Sequence, residues 1–320
     1  MRWNLARGAF APAALACICV VAACTIEHPD DGSIESSDGL TVEEAEQCSS
    51  RLAIAFTGTS ASSTLLASTD PQASVATLLA STAFIERFSR FMNYRLNRRA
   101  GDNQGQDASY YLTQYILQNN KPFAELFTGG YNVDAAGVVT VDANGLGYFR
   151  SREWMVRYAG NEQGGYRLVS AYRILQNTTG VKLSATTNVV GVDLSATGRM
   201  APACRGCHYD PWFALDKVAR TLSRRVGSDA DTMTFTPPTD GPQQILGGKT
   251  IANDKELVTA LVASDHFKFN ACRHVFNFLY GRDETTAEAT VFDKCVDAFT
   301  AEGTIQAALS AVAKDPSFCL

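Results

Sequence analysis

The sequence predicts a mainly α-helical protein: a helical, bundle-like domain with one small β-hairpin and a Cys/His motif that leads into a helix. Three observations carry this expectation. Apolar residues recur at three- and four-residue spacing over long windows, as in Leu78, Leu79, Phe84, Phe88, Phe91, Met92 and Leu96. Strand-like patterning is confined to Tyr131–Asp142, where Gly137 separates two Val-rich runs. No internal repeat is evident at periods of 20 to 50 residues, so the helices do not read as a repeat array.

Taken in order, a first helix begins at the capping-box pattern Thr41-Val42-Glu43-Glu44 and ends near Gly58. A longer one is expected from about Gln72 to Arg98, its Met and Phe stripe facing the core. Further helical segments read from Ala108 to Asn119, Arg152 to Ala159 and Tyr166 to Asn177. Asp210-Pro211 looks like a helix start, with Pro at the first helical position and Trp212, Phe213, Leu215, Val218 and Leu222 as its apolar positions. Thr234–Gly248 is rich in Pro, Gly and Thr and is expected to break regular structure. Three more helices follow: Asp254–Ser264, His266–Tyr280 closed by Gly281, and Thr285 to about Ala313 with a break near Gly303.

At the N-terminus, Arg2 and Arg7 precede an apolar run from Ala9 to Ala23, the layout of a secretory signal. The run falls short of the roughly 20 apolar residues of a membrane span. It ends in Val21-Ala22-Ala23-Cys24, which resembles the lipobox of bacterial lipoproteins, in which the Cys is diacylated and becomes the first residue. Thr25 follows where an inner-membrane retention signal would place Asp, and this favours the outer membrane. Residues 24–40 are acidic, Ser- and Gly-rich and aperiodic, too polar to order themselves, and read as a tether. His28 falls in that tether as a solvated linker residue. The chain thus divides into a lipoprotein signal peptide (1–23), a disordered tether (24–40), a helical N-terminal region (41–200) and a second helical region (201–320).

Loss of residues 1–23 takes the formal net charge from −5 to −7, because Arg2 and Arg7 are their only charged side chains. An acidic chain without Lys/Arg-rich runs argues against nucleic acid as a partner, since phosphate binding needs clustered positive charge. Basic protein partners remain open.

Cys204-Arg205-Gly206-Cys207-His208 matches the C-x-x-C-H pattern of c-type haem attachment. Two thiols three positions apart can each add across one haem vinyl group, and the adjacent imidazole then meets the iron as proximal ligand. Gly206 permits a tight backbone beside the macrocycle. Two other chemistries use the same cysteine spacing. A thioredoxin-like disulfide would sit between a strand and a helix in a βαβ context, which is missing here. A zinc knuckle needs a second ligand pair at knuckle spacing, and the next cysteine is Cys272. One haem c is therefore the expected cofactor. For a sixth ligand the downstream candidates are Met233, His266 and His274. Met233 is favoured for its soft sulfur and its place ahead of the Pro-rich loop, whereas His266 and His274 also suit surface or packing roles.

Assigning Cys24 to lipid and Cys204 and Cys207 to haem leaves Cys48, Cys272, Cys295 and Cys319, enough for two disulfides in an exported chain. The helices flanking Gly281-Arg282-Asp283 should form an antiparallel pair. Cys272 and Cys295, about ten and twelve residues from that turn, then lie within roughly 3 Å in height at 1.5 Å per residue. Cys48 with Cys319 would join the two ends of the domain.

CRGCHYDPWFAL (Cys204–Leu215), GGKTIANDKELVTAL (Gly247–Leu261), FKFNACRHVFNFLYGRD (Phe267–Asp283) and the closing Asp315-Pro316-Ser317-Phe318 resemble the planctomycete-type cytochrome c proteins, an exported family. Leu78–Asn97 is more weakly similar to the N-terminal helical module of related proteins. The resemblance implies haem attachment at Cys204, Cys207 and His208 and structural roles for Gly281 and Arg282. With a single C-x-x-C-H, a redox partner protein rather than a second haem must supply or take electrons. Pro211 comes only three residues after His208, unlike the ordinary small cytochromes.

The leading expectation is electron transfer by a monohaem lipoprotein. The alternatives are a haem enzyme with an open distal site, peroxidase-like, and a non-redox surface lipoprotein. No Gly-x-Ser-x-Gly or His-Glu-x-x-His pattern supports a hydrolase.

Overall fold

A computed structural model describes residues 40–97, 108–159, 167–183, 190–210, 212–227 and 234–319. The segment expected as a signal peptide, all but the last residue of the expected tether, with Cys24 and His28, and Met233 lie outside the described residues. Residues 40–320 form one compact unit, mainly helical, with three small antiparallel hairpins among the described residues.

Helix α1 (Val42–Thr57) opens on a complete capping box: Glu44 N donates to the Thr41 hydroxyl, and the Thr41 backbone N–H donates to the Glu44 carboxylate. It closes at Gly58 in the left-handed conformation, φ 72°. After a short α2 (Ser63–Leu66), the expected single helix from Gln72 is instead two, α3 (Val75–Ala80) and α4 (Thr82–Leu96). Ser81 is the cause. Its hydroxyl donates to Leu78 O at 2.6 Å and accepts from Phe84 N at 3.2 Å, so it ends one helix and caps the next. The apolar stripe survives the break, because Phe84, Phe88, Met92 and Leu96 are all buried.

Helices α5 (Ala108–Gln118) and α6 (Glu125–Thr128) lead into the expected hairpin, β1 (Tyr131–Val133) paired with β2 (Val139–Val141), Tyr131 opposite Val141. The segment expected as a helix from Arg152 begins as α7 (Arg152–Trp154) but widens into a π-helical turn over Met155–Ala159. Helix α8 (Leu168–Thr179) follows. Beyond it come α9 (Pro202–His208) and α10 (Leu215–Thr221). The Pro- and Gly-rich stretch is more regular than expected: β3 (Arg224–Val226) pairs with β4 (Thr234–Thr236), and β5 (Gln243–Ile245) with β6 (Lys249–Ile251). The chain ends on α11 (Asp254–Val262), α12 (Asp265–Tyr280), α13 (Ala289–Glu302) and α14 (Ile305–Ala313). Gly281 and Gly303 close α12 and α13 in the left-handed conformation.

One hydrophobic core runs from Cys48 to Cys319, so the helical regions on either side of residue 200 share it. Aromatic rings dominate it. Phe278 of α12 packs on Phe84 and Phe88 of α4 at centroid distances of 5.9 and 5.0 Å. Disulfide bonds join Cys48 to Cys319 (Cα–Cα 4.6 Å), tying α1 to the last turn, and Cys272 to Cys295 (5.9 Å), tying α12 to α13. Among the described residues, no helix is long and apolar enough to cross a membrane.

Candidate functional site

The C-x-x-C-H motif does not precede a helix that starts at Asp210-Pro211, as the sequence suggests. It forms the end of one. Pro202 occupies the first turn of α9, where its missing N–H costs nothing, and His208 is the last residue of that helix. The next helix, α10, starts only at Leu215, after Ala214 in a left-handed conformation (φ 41°) that is uncommon for a residue with a Cβ. The chain bends over Trp212 and Phe213 just before Ala214, and α10 contacts α9.

Because Cys204, Cys207 and His208 stand at i, i+3 and i+4 of α9, their side chains share one side of the helix. No residue of α9 is buried; Cys207 is exposed and Cys204 partly so. Both are free thiols, whereas Cys48, Cys272, Cys295 and Cys319 are all paired. Gly206 faces open space, with no atom within 4 Å of where a Cβ would stand. Arg205 is held at the surface by Asp210, Nε to carboxylate at 2.7 and 2.9 Å.

The imidazole of His208 is fixed from behind. Its Nδ1 lies 2.6 Å from Oδ2 of Asp216 on α10. Asp216 is buried and also takes a forked pair of bonds from Arg199, at 2.6 Å from Nη2 to Oδ1 and 3.0 Å from Nε to Oδ2. Arg199, buried in turn, donates a further bond to Leu194 O. Burial pushes the Asp216 carboxyl up, but the bonds from Arg199 and His208 outweigh it and hold the group below the usual carboxylate value. The Asp216 carboxylate therefore accepts from Nδ1, and Nε2 is left to serve as a ligand.

Downstream of the motif, Trp212 accepts a backbone bond from Leu246 N at 2.8 Å, which docks the β5–β6 turn beside it. The exposed His266, at the start of α12, meets the Trp212 ring edge-on at 4.8 Å. His274 is elsewhere and buried, its ring against Phe91 and its Nε2 3.4 Å from Asn270 Nδ2. Burial, with Arg95 nearby, lowers its pKa to about 3, so it stays neutral. Thus His266 lies next to the segment that follows the motif, while His274 is packed among α4, α8 and α12.

Arg199 and Asp216 escape sequence reasoning. Asp216 falls within a helix read by its apolar positions, and nothing in the spacing links it to an arginine 17 residues upstream. No protein-family model matches the chain, and neither a curated protein nor a solved structure matches it.

The donor set fits a c-type haem. It offers two free thiols at the required spacing, one exposed and one half-buried, and an adjacent imidazole anchored through Nδ1. Among the described residues no group of three or more His, Cys, Asp or Glu side chains converges in the manner of a metal-ion cage.

Proposed function

We propose that this chain is an exported lipoprotein that carries one covalent c-type haem and transfers electrons. The observation that supports it is the pairing of free Cys204 and Cys207 with a His208 whose Nδ1 is tied to a buried carboxylate. In this reading Cys204 and Cys207 would hold the haem through thioethers and His208 through Nε2, and the haem would supply one-electron exchange. Asp216 and Arg199 hold the ring in place, and the exposure of α9 gives a partner protein access to the haem edge. The Val-Ala-Ala-Cys lipobox supports acylation at Cys24 and anchoring to the outer membrane, with residues 24–40 as the tether. The redox partner is a protein, and the acidic charge of the chain suits one with a basic docking face.

The test is production of the full chain in a host with haem-attachment machinery. Haem should remain bound on a denaturing gel, and Cys204→Ala with Cys207→Ala should abolish it. Haem released on denaturing the unmutated chain would end this proposal. Mass spectrometry of the mature N-terminus should show a diacylated Cys24, and an unmodified terminus at another residue would rule out the anchor.

A further inference from the structure

Resting on the haem reading above, we infer that Asp216, braced by Arg199, sets the reduction potential of a haem bound at His208 and favours its ferric form. The His208–Asp216 contact is short, 2.6 Å, and its acceptor is a carboxylate rather than the neutral carbonyl that any loop could provide. A carboxylate that accepts the second ring N–H of a ligating histidine fixes the ring orientation and makes the ligating nitrogen more basic. Ferric iron carries one more positive charge than ferrous iron, so a more basic ligand stabilises it more, and the potential falls.

Arg199 makes this arrangement workable in the interior. Asp216 is only 5% exposed, and an ionised carboxylate so placed is costly unless it is paired and hydrogen-bonded. The forked bonds from Arg199 meet that need and leave Oδ2 aimed at the imidazole. The same cation draws some negative charge away from the histidine, so the effect is smaller than an unpaired carboxylate would give. Asp216 acts through His208 and is a positioning residue.

Equilibrium redox titration of the haem-loaded chain tests this. Asp216→Asn keeps the shape and an acceptor but removes the charge. It should shift the ferric/ferrous preference about tenfold toward ferrous, which is 59 mV for one electron. Asp216→Glu should restore most of the original value. A change of threefold or less in Asp216→Asn overturns the inference while leaving the haem proposal intact. Failure of the unmutated chain to hold any covalent haem overturns both. The haem-free chain offers a reading that needs no variant: nitrogen NMR of His208 in its neutral ring should show the proton on Nδ1, and a proton on Nε2 would overturn the inference as well.

Discussion

Asn97 donates from Nδ2 to Glu153 Oε1 at 3.2 Å, and the Ser109 backbone N–H donates to the same oxygen at 2.9 Å. One buried carboxyl group thereby links the end of α4, the start of α5 and α7. Tyr148 extends the network by donating to Asn97 Oδ1 at 2.8 Å. Glu153 Oε2 has no partner among the described residues. Burial pushes the Glu153 carboxyl up to about 7, against the downward pull of Ser109 and Asn97.

The sign of the resulting pH dependence follows from the raised folded-state value. The fold favours protonated Glu153, so the stability linked to it is fully present below the ordinary value of 4.5. It is then lost as pH rises toward about 7. The loss is on the order of 3 kcal/mol. Urea unfolding at pH 5 and pH 8 should show the unmutated chain weaker at the higher pH, and Glu153→Gln should flatten that difference. Equal pH dependence in the two chains would count against this assignment.

The two disulfides should differ in their effect on stability. Cys48–Cys319 closes 271 residues and Cys272–Cys295 closes 23. Chain entropy alone makes the longer loop worth roughly 2 kcal/mol more. Unfolding midpoints of the paired Cys→Ser variants should therefore fall further for Cys48 and Cys319 than for Cys272 and Cys295. The reverse order would mean that native packing, not the unfolded chain, dominates.

Arg150 and Asp254 form an ion pair at 2.7 Å in which both side chains are largely buried, and the Arg150 guanidinium lies 4.0 Å over the Phe235 ring. Ser223 N also donates to Asp254 Oδ2. Arg150→Ala leaves Asp254 without its cation in the interior and should cost about 3–5 kcal/mol. Replacing both residues with apolar ones should cost less than the single change. A double variant that loses more than Arg150→Ala would refute this account.

The sixth ligand can be read optically. Under the haem proposal, with Met233 as the sixth ligand, Met233→Ala should remove a weak long-wavelength ferric band and open the iron to carbon monoxide. His274→Ala should leave both features unchanged, since His274 is buried and engaged by Asn270. His266→Ala should also leave them unchanged, even though His266 adjoins Trp212. Should the unmutated ferrous protein already bind carbon monoxide readily, the open-site enzyme becomes the better reading.

The sequence by itself determined the helical class, the α1 capping box, the glycine stops at Gly281 and Gly303, and the grouping of Cys204, Cys207 and His208. Each is written in residues a few positions apart, where side-chain periodicity and backbone hydrogen bonding act locally. The tertiary structure alone decided the rest. Ser81 splits a continuous apolar stripe because its hydroxyl bonds both ways along the backbone, a competition that periodicity does not register. Helix α10 starts late because the chain bends over Trp212 and Phe213 into a left-handed Ala214, a conformation that alanine does not advertise. That bend brings Asp216 to His208 and Arg199, 8 and 17 residues away along the chain. Interior ionic partners of this kind are selected by the cost of leaving a buried charge unpaired, which exists only once the chain has folded around it.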